Sequence, residues 1–161
     1  MADSQGAESQ PQPVVYGEEI ETRWEKVKSY PVVAQIYEMS GPMMRQLVAD
    51  PNFRSQYDSK LWDVADGVLR DTIRKIIIEK VAGKDSKEIN ILSFSYPAFE
   101  QALRSEKAAE ITIDDIEAEF ERQVADAIAR REKQYDEHGL VTLHEMSRVL
   151  LNKVLIAIGR R

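Results

Sequence analysis

Gln134-Tyr-Asp-Glu-His-Gly-Leu-Val-Thr-Leu-His-Glu145 lies between two amphipathic stretches, and its reading decides the fold. Upstream, Thr112 has N-cap chemistry, and Asp114, Asp115 and Glu117 follow where carboxylates meet the positive end of a helix dipole. Ile113, Ile116, Phe120, Val124, Ala127, Ile128 and Tyr135 then recur at steps of three and four, the spacing of one helical face. Downstream, Leu143, Met146, Val149, Leu150, Val154, Ala157 and Ile158 repeat the pattern. Gly139 reads as the stop of the first helix, and Thr142 with Glu145 as the T-x-x-E box opening the second. So short a link predicts an antiparallel helical hairpin over 112–158. Arg160 and Arg161 would then return beside Glu117 to Glu121.

The same twelve residues can be laid on a calcium-binding EF-hand loop. Asp136 takes the third position, Gly139 the sixth, Thr142 the ninth and Glu145 the twelfth. Gln134 stands where an aspartate belongs, and His138 offers nitrogen to a hard cation. Asp136, Thr142 and Glu145 are thus the candidate Ca2+ ligands of an alternative reading, a calcium-responsive adaptor. Capping explains Gly139, Thr142 and Glu145 without any ion, so no cofactor is expected.

Outward from this stretch, the rest of the chain is also helical in pattern. Residues 1–17 are rich in Gln, Ser, Pro and Ala and read as a disordered acidic tail. Residues 18–161 read as a single helical domain. Ile20, Trp24 and Val27 align on one helix, and Pro31 interrupts it. A second runs to Met39, and Ser40-Gly41-Pro42 predicts a break before a short helix carrying Met43, Met44, Leu47 and Val48. Asp50-Pro51 starts a further piece in which Phe53 and Tyr57 share a face. Asp58 or Ser59 caps a long helix to about Ala82, where Gly67 in mid-helix predicts a close approach by another helix. Residues 87–95 alternate like a strand without a partner, and Ser95 and Pro97 open a helix that turns Phe99 and Leu103 inward. The fold class is therefore all-α, with five to seven helices.

At 161 residues the chain suits one domain. It has no cysteine, which excludes disulfides and thiolate-held metals. No run of apolar residues is long enough to cross a bilayer, and no secretory signal is visible, so a cytoplasmic or intracellular setting and no membrane partner are expected. The net charge is −6, but residues 1–21 hold five acids and no base. The remainder is close to neutral, and nucleic acid is not an expected partner.

Catalytic signals are sparse. No glycine-rich phosphate loop occurs. His138 and His144, six residues apart beside Asp136, Glu137 and Glu145, could converge across a tight turn, but neither E-x-x-H nor H-E-x-x-H occurs, and His144 with Ser147 lacks an oxyanion loop. Asp114, Asp115 and Glu117 supply a second alternative, a magnesium-dependent helical hydrolase. The favoured reading is a non-enzymatic interaction or assembly subunit that binds a protein partner or itself through a helical face. Met43, Met44, Val149 and Leu150 are its candidate contact residues.

Overall fold

Proline and side-chain caps punctuate the chain. The computed structural model describes residues 11–83 and 96–161, which form seven α-helices and no strand. They are α1 (Pro11–Val27), α2 (Val32–Ala49), α3 (Pro51–Gln56), α4 (Trp62–Ile76), α5 (Tyr96–Leu103), α6 (Ile113–Ala129) and α7 (Glu137–Ala157). Asp50 accepts from the Asn52 amide at 2.9 Å to start α3, and Asp58 accepts from Lys60 at 2.9 Å ahead of α4. At α6 the Thr112 hydroxyl and the Asp115 carboxylate exchange bonds with each other's amides, both at 3.1 Å, a complete capping box. The segment 87–95 lies outside the described residues.

One apolar core draws on every helix. α1 packs on α2, α2 and α4 pack together, and α7 lies against both, while α6 covers the other side of α4. Ile36, Met39, Leu69, Ile73, Phe120, Leu143 and Met146 are fully enclosed. Each such side chain contributes about 1.5–3 kcal/mol through burial. Ser40, Thr72 and Ser147 are buried too, but each hydroxyl donates to a carbonyl one turn back (Tyr37, Val68 and Leu143), so none is left without a partner.

The first described helix begins at Pro11, and residues 1–10 lie outside the described part. Other sequence expectations are corrected. The break at Ser40-Gly41-Pro42 does not occur, because Pro42 sits inside α2. A proline there removes the amide that would bond the Glu38 carbonyl and crowds that oxygen. Arg23 of α1 supplies the missing donor, with its guanidinium 3.1 Å from the Glu38 carbonyl oxygen and 3.2 Å from the Glu38 carboxylate.

Gly139 does not stop a helix either. It lies in the first turn of α7, where its amide donates to Asp136, the true N-cap, at 2.8 Å. Thr142 is buried within α7, and Glu145 is exposed on it, so they form no capping box. The stop belongs to Gly159, at φ +77°. Its amide donates to Ile156 at 3.1 Å and the next, Arg160, to Leu155 at 2.8 Å, a Schellman closure. Helix α6 packs chiefly on α4, and α7 on α2 and α4, while α6 and α7 also touch each other, with Arg161 returning beside Glu117 as expected. Between themselves the two helices exchange ion pairs, Arg161 with Glu117 at 2.7 Å and Arg148 with Glu121.

Gly67 has no close neighbour among the described residues: a Cβ built there meets none of them within 4 Å. The close approach expected at this position is absent. The last turn of the α4 rod widens to π geometry over Ile77–Val81, with the Ala82 amide reaching back to Ile77 at 2.9 Å.

Candidate functional site

The four proposed contact residues are mostly interior. Met43 and Met44 are 5% and 9% exposed and Leu150 is fully buried, so they fill the core; Val149 is half-buried against it. Methionine's adaptable shape suits it to interior gaps as well as to surfaces, which is why composition alone could not place these two.

Asp136, Thr142 and Glu145 are not brought together. Helix α7 carries them in sequence, and nine residues of rise separate Asp136 from Glu145 by about 13 Å. Two of the three carboxylates considered for magnesium are engaged structurally. Asp115 completes the α6 cap and faces Lys80 at 3.5 Å, and the bond to the Thr112 amide lowers its pKa. Glu117 pairs with Arg161, while Asp114 is exposed. Among the described residues no three His, Asp or Glu side chains cluster as a ligand set. The Ser147 hydroxyl is fully buried and donates to a backbone carbonyl, so it faces no substrate.

What the structure does assemble was not anticipated. On α2, Tyr37, Gly41 and Arg45 fall at intervals of four and share a face. On α4, Asp66, Arg70 and Arg74 do the same. The two rows face one another across a cleft of about 430 Å³, closed at its sides by Arg23 of α1 and Tyr96 of α5. Four guanidinium groups thus line one cavity, with Glu38 the only acid in its wall among the described residues.

Each arginine is steadied by an acid. Glu19 grips Arg45 through two bonds, 3.0 and 2.5 Å, and that grip holds the Glu19 carboxyl below its ordinary pKa. Asp66 faces Arg70 Nε at 3.1 Å, and Asp71 faces Arg74 at 3.3 Å. Burial pushes the Asp66 carboxyl up, against the pull of Arg70, so this pair is partly desolvated. Glu19, Asp66 and Asp71 do not line the cavity, so its walls present donors although the cluster is neutral in sum.

Tyr37 orders the two α4 arginines. Arg70 and Arg74 lie 5.6 and 5.9 Å from its ring centroid, and Arg74 Nη2 donates to its hydroxyl at 3.3 Å. Phe99 braces the same ring edge-on at 5.0 Å. Gly41 leaves the space they occupy: a Cβ there would stand 3.0 Å from Arg70 Nη2 and 3.6 Å from Arg45 Nη1. At the rim Tyr96 is 65% exposed, and the Glu100 carboxylate raises its hydroxyl pKa.

A second, apolar depression of about 260 Å³ lies at the start of α7, between Leu140, Val141, His144 and Ile128 of α6. Val141 is 51% exposed there. No helix among the described residues is long and apolar enough to cross a membrane. Comparison with known proteins finds no matching family, no similar curated protein and no similar solved structure.

Proposed function

We propose that the chain is a non-catalytic helical interaction subunit that holds an acidic group of a protein partner in the arginine-lined cleft. The observation that carries this reading is the convergence of Arg23, Arg45, Arg70 and Arg74, from three helices, on one cavity around Gly41. Guanidinium forks bind oxyanions with fixed geometry, and here their positions are set in advance by Tyr37 and by acids outside the cavity. Pre-positioned donors lose little freedom on binding. The apolar depression beside Val141 offers the same partner, or a second copy of this chain, a further contact.

The test is affinity capture from the source cells with wild-type protein and an Arg70→Leu, Arg45→Leu double variant in parallel. A partner held by the wild type and lost by the variant supports the reading, and equal capture by both overturns it. Light scattering on the isolated chain separates a foreign partner from a second copy. If self-association is the answer, the mass falls to that of a monomer in the variant.

A further inference from the structure

The donor pattern inside the cleft points beyond a generic acidic partner. A carboxylate is planar and is satisfied by one guanidinium fork, which is how Glu19 already holds Arg45. The cavity instead directs Arg45, Arg70 and Arg74 at a shared space from two helices. Arg70 Nη2 and Arg45 Nη1 approach the same point above Gly41, at 3.0 and 3.6 Å from where a Cβ would be. Arg70 is the most available of them. Its terminal nitrogens donate no hydrogen bond among the described residues, its Nε is enclosed beside Asp66, and its plane is steadied by the Tyr37 ring. The four arginines are already balanced by Glu38, Glu19, Asp66 and Asp71, so an anion in the cleft gains from the pre-set geometry of the donors rather than from relief of a net charge.

We propose that the cleft is a binding site for a phosphoryl dianion carried on a side chain of the protein partner. This rests on the reading that the cleft docks such a partner. A phosphate monoester offers three oxygens in a tetrahedral fan and about −1.5 to −2 charges at neutral pH. Arg70 takes one edge with its two open nitrogens, Arg45 and Arg74 reach the remaining oxygens from either side, and Arg23 adds charge from the cavity wall. Glu19 competes with the phosphate for Arg45 from outside the cavity, so its removal strengthens binding.

The experiment uses the full chain and fluorescence anisotropy at physiological salt. The probes are degenerate peptide pools with a central phosphoserine or phosphothreonine, with glutamate or alanine at the same place in control pools. Vesicles containing a phosphoinositide form a separate arm. The phosphorylated pools should bind at least roughly tenfold tighter than the glutamate pool. Arg70→Leu and Gly41→Ala should each weaken that binding roughly tenfold, and Glu19→Gln should tighten it. Gly41→Ala changes no charge and meets only flexible side-chain ends, and thermal melts verify that the variants remain folded. Equal binding of phosphorylated and glutamate pools, both lost in Arg70→Leu, overturns the phosphate assignment while the acidic-partner reading survives. Binding to vesicles but to no peptide pool overturns both.

Discussion

The guanidinium of Arg23 donates to the backbone carbonyl of Glu38, 3.1 Å away, the very oxygen that Pro42 deprives of its helical partner. α1 therefore repairs α2 from outside. Replacing Arg23 by Met should cost about 1–2 kcal/mol of stability, since a partly buried carbonyl loses its donor. In a Pro42→Ala background the amide returns and the same change should cost less. Urea unfolding of the four proteins gives the coupling, expected at about 0.5–1.5 kcal/mol; additive effects would contradict the repair.

Gly67 lies in the middle of α4 with open space where its side chain would be. Gly67→Ala should raise stability by about 0.5–1 kcal/mol, by restricting the unfolded chain and favouring helix. Thermal unfolding should show an upward shift of a few degrees.

Gly159 sits at φ +77°, a conformation that costs a residue with a Cβ about 1–2 kcal/mol. Gly159→Ala should destabilise by that amount and loosen the last turn of α7, seen as faster amide exchange at Gly159 and Arg160, the two donors of its closure.

Glu119 is 4% exposed and is held by Arg122 at 2.8 Å, Gln123 at 2.9 Å and Lys75 of α4 at 3.4 Å. Burial alone would raise its pKa, but these donors outweigh it and the folded value lies below the ordinary one. A carboxylate lowered in the folded state contributes stability that is complete above its unfolded pKa, near 4.5. That contribution is lost as pH falls through the lowered folded value. Wild type should therefore lose stability below about pH 5, and Glu119→Gln should lose less over that range while being less stable at pH 7 by about 1–3 kcal/mol. Denaturation midpoints from pH 3 to 7 provide the measurement.

Features governed by neighbours in sequence were legible. Thr112 and Asp115 cap α6 within four residues, Asp50 and Asp58 bond amides two residues on, and the rings of Phe53 and Tyr57 meet, tilted, at 4.9 Å as their spacing predicts. Gly139 misled because Asp136, three residues before it, is an equally good N-cap, and nothing local ranks one signal above the other. Pro42 misled because its rescue comes from Arg23, on another helix. The cleft was hidden for the same reason. Tyr37-x3-Gly41-x3-Arg45 and Asp66-x3-Arg70-x3-Arg74 are visible as rows, but only packing shows that they face each other.

The bare backbone at Gly41 means that a single methyl group can plug the mouth between Arg45 and Arg70 without altering any charge or disturbing the interior. On the proposed reading, one codon would then be enough to close the pocket while the scaffold stays intact.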